Sequence, residues 1–236
     1  MCNEIRPAHH PGMHIRSSLR FALLLFATPL VCEAQGTASL SLLQKTMALT
    51  PNLESGEHLY IQYCAACHHR SAWGSGPREV PTLAGQQDLY LLEQLIKFST
   101  RDRSKPEMHD VVAQPEIDSP QAMRDLSSYI ASRPRNTRSE RGDKTQLNIG
   151  ARVYAQSCLI CHGASGAGNR DDLIPAIGGQ HYSYLLVRLR HFAQDHASQE
   201  RQSLAPAVVN LLSRLTPDEI KAVADYTSRL PALQGH

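Results

Sequence analysis

A chain of 236 residues has room for one large domain or two small ones, and its 42% hydrophobic and 19% charged residues are ordinary for a globular protein. The 24 Lys and Arg against 22 Asp and Glu leave a formal charge of +2, which argues against a nucleic-acid partner.

Residues 1–34 read as an export signal. Arg16 and Arg20 precede the apolar run FALLLFATPLVC, and Cys32 and Ala34 loosely fit a small-residue cleavage site. The run is too short for a comfortable membrane span, and no other stretch is apolar enough for one. Val31 is a poor residue before a lipidated cysteine, and Met13 is an alternative start. Removal of the leader leaves four cysteines: Cys64, Cys67, Cys158 and Cys161. Residues 35–52 follow as an N-terminal segment, either a short helix or without regular structure.

Residues 53–131 form a first unit around CAACHH, Cys64 to His69. The pattern is a helix, the motif, the loop PTLAGQ and a helix carrying Tyr90, Leu91, Leu95 and Phe98 at helical spacing. A polar loop, STRDRSKPEMHDVV, then leads to a closing helix whose N-cap and first turn are Ser119-Pro120. Segment 132–147 contains the basic run RPRNTRSERGDK, reads as too polar to join a core, and is taken as a domain connection. Residues 148–236 repeat the design around CLICH, Cys158 to His162, with PAIGGQ as the loop and Thr216-Pro217 opening the last helix.

The two units are copies of one plan. Gly56, Tyr60, Gln62, Pro81, Gly85 and Gln86 recur 94 residues later as Gly150, Tyr154, Gln156, Pro175, Gly179 and Gln180. Tyr90, Leu91, Leu95 and Phe98 recur as Tyr184, Leu185, Leu189 and Phe192. Beyond these the offset becomes 97, pairing Val111, Val112, Pro120 and Tyr129 with Val208, Val209, Pro217 and Tyr226. The second unit has therefore gained three residues between Phe192 and Val208. Neither unit shows strand alternation, so the fold class is all-α, with two tandem helical domains. Domains of roughly 80 residues bury too little apolar surface alone and usually need a staple.

C-x-x-C-H supplies one. Two thiols at this spacing meet the two vinyl groups on one edge of a porphyrin, and the histidine coordinates its iron, as in covalent haem c. Zinc ribbons also use paired C-x-x-C, but with about 15–20 residues between pairs. Two disulfides would leave the histidines unexplained, and dithiol redox chemistry normally rides on a strand-rich domain.

On CAACH and CLICH, PTLAGQ and PAIGGQ, the helices from Tyr90 and Tyr184, and the closing LSSYIAS and VADYTSR, the chain resembles the tandem di-haem class I cytochromes c of bacterial periplasms, the cytochrome c4 type. The resemblance covers almost all of the chain after the leader. It implies two covalent haem c groups, one held by Cys64, Cys67 and His68 and the other by Cys158, Cys161 and His162. The carbonyls of Pro81 and Pro175 would orient His68 and His162. A periplasmic single-electron carrier is implied, with redox proteins as partners: a membrane-bound oxidase or reductase, or a dehydrogenase, met in transient membrane-complex associations.

The resemblance also implies a methionine above each iron. Met108 stands in the expected place in the first half; Met123 fits core packing better, and His109 adjoins Met108. Alignment on the Val-Val pair puts Ala205 opposite Met108, with Leu204 beside it, and no methionine follows Met123. Three arrangements stay open for the second haem: His196 from the inserted loop as ligand, His191 from the preceding helix, or no strong protein ligand. His181, opposite Gln87, is expected at the periphery. A second function follows from the open case: a di-haem oxidoreductase or enzyme subunit whose second haem binds a small substrate.

Overall fold

The computed structural model describes residues 31–194 and 206–231. Among these the chain is helical, with only two isolated bridges, Ser75 to Val80 and Asn169 to Ile174, at corresponding places in the two halves. The first half comprises α1 (Val31–Met47), α2 (Leu53–Leu59), α3 (Ala65–His68), α4 (Asp88–Ser99), α5 (Pro106–Val112) and α6 (Pro120–Ser132). The second comprises α7 (Leu147–Ser157), α8 (Leu159–His162), α9 (Tyr182–Gln194), α10 (Pro206–Leu212) and α11 (Pro217–Ser228). No described helix is long and apolar enough to cross a membrane.

Each half is built on a crossing of its entry and closing helices, which a glycine makes possible. Gly56 on α2 lies against the backbone of Asp125 and Cβ of Tyr129 on α6, and Gly150 on α7 lies against Ala222 and Tyr226 on α11. A Cβ at either position would collide with a carbonyl oxygen of the facing helix. The aromatic pairs Tyr60–Tyr129 and Tyr154–Tyr226 seal the crossings, with ring centroids 5.7 and 5.5 Å apart. Closing helices start where the sequence signals them. The Ser119 side chain accepts from the Ala122 N–H, and Thr216 forms a capping box with Glu219.

The first half has the larger described core. Leu91, Leu92, Ile96 and Phe98 of α4 meet Leu126, Tyr129 and Ile130 of α6. Helix α1 packs on α4 and α6, burying Leu43 and Thr46, so the N-terminal segment has the first of the two conformations expected for it. In the second half the buried cluster centres on Val153, Tyr154 and Val223.

Contacts between the halves follow the repeat. The Gln86 side chain accepts from Ala176 N–H and donates to Ala176 C=O, at 2.7 and 2.8 Å. Gln180 treats Thr82 in the same way, at 2.9 Å for both bonds. Gln87 donates to Ala167 C=O and His181 to Trp73 C=O, again at matched positions. Asp88 bridges Arg124 of its own half and Arg170 of the other. The connecting segment is not a solvated strap: Arg135, Asn136 and Ser139 are buried. Backbone carbonyls make this burial tolerable, since Arg135 donates to Gly85 C=O and Gly178 C=O, one from each half.

Two outcomes are expected. Gly56→Ala and Gly150→Ala each lower stability by about 1–3 kcal/mol in chemical denaturation, because a packed crossing must open; unchanged stability would contradict the crossing. The second concerns acid. Burial acts to raise the Asp88 carboxyl, but hydrogen bonds and charges from Arg170 and Arg124 outweigh it and hold the group below its ordinary range. A depressed folded-state pKa gives a stabilisation that is complete above the unfolded value and fades as pH falls toward the folded one. The contact between halves should therefore weaken below about pH 4, and Asp88→Asn should abolish that part of the acid profile. An identical profile in Asp88→Asn would count against the bridge.

Candidate metal centres

Both motifs sit on a helical kink of the same shape. In the first half α2 widens into a π-turn over Tyr60–Cys64 and resumes as α3; in the second, α7 stops at Cys158 and resumes as α8. Cys64 has φ −113° and ψ −34°, and Cys158 has φ −114° and ψ −31°. The short helix after each kink puts the first cysteine, the second and the histidine at positions i, i+3 and i+4, which share one helix face.

Each motif histidine ring meets a proline carbonyl thirteen residues later in the chain. His68 Nδ1 lies 3.3 Å from Pro81 O and His162 Nδ1 lies 3.0 Å from Pro175 O. A carbonyl only accepts, so each Nδ1 carries the proton and each Nε2 presents its lone pair. Burial pushes the His68 pKa down to about 4 against the opposing pull of the Pro81 carbonyl, and it lowers that of His162 against Pro175. Neutral imidazoles with one free lone pair are the form that binds a metal.

The thiols of the two motifs are unpaired. Burial, followed by the neighbouring Cys67, pushes Cys64 up to about 12, and burial with Cys161 pushes Cys158 up to about 11. Dithiol redox sites depend on the opposite shift, so that reading fits poorly. Zinc needs four donors closing on one ion, and no group of three or more His, Cys, Asp or Glu among the described residues is placed to hold a metal ion. Haem c fits: each half offers two unpaired thiols and one neutral imidazole on a single face. Arg135 adds to the fit. Its Nε has no partner, no carboxylate pairs with it among the described residues, and burial lowers its pKa to about 10. A buried cation without a carboxylate partner is a group that suits a ligand bearing acidic groups, as the haem propionates are.

Met108 lies at the start of α5 rather than in an open loop, because Lys105-Pro106 initiates a short helix there. It is half-buried against the first-half core. Its competitors are engaged elsewhere. His109 Nε2 lies 2.6 Å from Arg103 O, and Met123 is 2% exposed in the core of α6. In the second half His191 stands in the last turn of α9 beside Phe192, with ring centroids 5.8 Å apart. His196, Leu204 and Ala205 lie outside the described residues. His181 differs from expectation: it is buried between the halves, where Nδ1 accepts from Glu140 N–H and Nε2 donates to Trp73 C=O.

Gln86, Gln180 and Arg135 were not identified as structural contacts by the motifs. The signal for the glutamines was their recurrence in both copies with no chemistry to explain it.

The cytochrome c family model matches residues 53–134 and again 147–230. A cytochrome c4 from Thiocapsa roseopersicina is 28% identical over 186 residues, covering 75% of this chain and 92% of that protein. A thiosulfate dehydrogenase electron acceptor from Thiomonas intermedia is 24% identical over 174 residues, covering 71% and 78%. The crystal structure of reduced cytochrome c4 from Pseudomonas stutzeri superposes with a TM-score of 0.67 at 24% identity, covering 77% of this chain and all of that one.

One residue differs between the motifs where the backbone does not. The residue after each metal-site histidine has positive φ and extended ψ: His69 at 68° and 154°, Gly163 at 72° and 171°. Only glycine occupies that region without strain, at a cost of about 1–3 kcal/mol for other residues. His69→Gly should therefore raise thermal stability, since the tyrosine bond to this carbonyl, from Tyr60 at 2.7 Å, is kept. A lower melting temperature would show that the His69 side chain outweighs the strain.

Proposed function

The chain belongs to the cytochrome c family, as a tandem di-haem electron-transfer protein of the cytochrome c4 type with two covalently bound haem c groups, and from this premise we propose that it is a periplasmic carrier of single electrons between redox proteins. Its partners are of two classes: a membrane-bound oxidase or reductase, and a dehydrogenase. The observation that carries the reading is the pair of motif histidines, each with its proton fixed on Nδ1 by a proline carbonyl and its Nε2 lone pair turned free. The electron acceptor of a thiosulfate dehydrogenase among its relatives supports a dehydrogenase as donor.

The proposed roles follow from that geometry. Cys64 and Cys67 would hold the first haem and Cys158 and Cys161 the second, with His68 and His162 as the imidazole donors to iron. When bound, the haem iron supplies a one-electron couple whose potential is set by its axial ligands and surroundings. Pro81 and Pro175 keep the imidazole planes and tautomers fixed, which limits reorganisation when the charge changes. Tyr60, Leu92, Ile96 and Phe98 exclude water from the first site. Met108 would supply a thioether donor to the first iron, and His196 is the candidate donor in the second half.

The missing methionine of the second half favours a second reading, in which this chain is an enzyme subunit and the second haem takes a small substrate. Carbon monoxide separates the two. A carrier keeps both ferrous haems low-spin and unreactive, whereas fast binding at one haem supports the subunit reading. Met108→Ala should abolish the weak long-wavelength charge-transfer band of ferric His/Met haem and open the first haem to carbon monoxide; persistence of that band contradicts Met108.

A further inference from the structure

The glutamine contacts between the halves end on particular peptide bonds. Thr82 N–H, which donates to Gln180 Oε1 at 2.9 Å, belongs to the same peptide group as the Pro81 carbonyl that accepts from His68. Ala176 N–H, which donates to Gln86 Oε1 at 2.7 Å, belongs to the peptide of the Pro175 carbonyl that accepts from His162. Each histidine is thus joined, through one peptide group, to a glutamine of the other half.

The glutamines are oriented without ambiguity. A second backbone N–H points at each Oε1, from His181 onto Gln180 and from Gln87 onto Gln86, both at 2.9 Å. Backbone N–H groups only donate, so these atoms must be the amide oxygens. Gln86, Gln180 and Thr82 are 7%, 4% and 3% exposed, so water competes little for the bonds.

We propose that Gln180 and Gln86 are positioning residues that set the electron-donating strength of the histidine in the opposite half. The proposal rests on His68 and His162 being the iron ligands. A peptide group whose N–H donates becomes a better acceptor at its oxygen, by about 10–30% per bond in a chain. A stronger acceptor at Pro81 O draws harder on the His68 Nδ1 proton and makes Nε2 a better donor. Better donation favours the ferric state and lowers the potential. Gln180, in the second half, therefore lowers the potential of the first haem, and Gln86 that of the second.

The crossed assignment makes the proposal testable on the holoprotein. Potentials of the two haems are measured by spectroelectrochemistry and assigned to the halves by NMR, together with exchange of the histidine Nδ1 protons. Gln180→Ala should raise the potential of the first haem, speed exchange at His68 and leave the second haem unchanged; Gln86→Ala should do the reverse. Gln180→Met and Gln86→Met, which keep side-chain length without the amide, serve where the alanine variants do not fold. Gln87→Ala is the control, because it removes a bond between the halves, to Ala167 C=O, that touches neither proline peptide through its side chain. Should each variant shift the haem of its own half, shift both haems as Gln87→Ala does, or shift neither with haem content intact, the relay is overturned. His68→Ala tests the premise separately: an unaltered low-spin first haem removes the ligand assignment itself.

Discussion

Everything in each half converges on one hydrogen bond, from the histidine ring to a proline carbonyl thirteen residues later. Its acceptor must be brought back under the motif helix, and the loop that does so is pinned at three points. Leu83 and Ala84 donate to Ala72 C=O, and Gly85 donates to Ile130 C=O on the closing helix. Ile177, Gly178 and Gly179 repeat this on Gly166 and Thr227. The glycine crossings fix where the closing helices lie, and so fix the loop. In each half three backbone hydrogen bonds of the loop thus serve to place one carbonyl.

The halves agree below the proposed metal positions and diverge above them. Kink angles, histidine tautomers, loop pinning and tyrosine seals all match. The first half adds α1, a larger described core and a half-buried methionine on α5. Axial donors move haem potentials over a wide range, so under the proposed function two sites alike below, with a methionine above only the first, would give a direction to electron flow. The contact between the halves matters for the same reason. It is built from backbone-directed glutamines, a buried arginine and a two-arginine carboxylate bridge, all of which hold orientation more strictly than apolar packing.

Much of this was legible in the sequence because it is local. The motif spacing and the helix caps at Ser119 and Thr216 are patterns within a few residues, the doubled glycines and tyrosines recur at a fixed offset, and together they predicted helical halves around two metal-binding turns. What was not legible depends on contacts between distant residues. Arg135 reads as a solvated linker cation until two carbonyls from different halves are seen to enclose it. His181 reads as peripheral until Trp73 is brought to it from 108 residues away. Met108 reads as a loop residue because the Pro106 signal is short, and a helix of 7 residues needs tertiary support to persist.

The central claim is that each half carries one haem on its own pair of cysteines. Mass spectrometry of the protein expressed in a periplasm competent for cytochrome maturation tests it directly. The expected result is an intact mass increased by two haems, with one haem on the peptide containing Cys64 and Cys67 and one on that containing Cys158 and Cys161. A single haem per chain, or free thiols in either peptide, would contradict it.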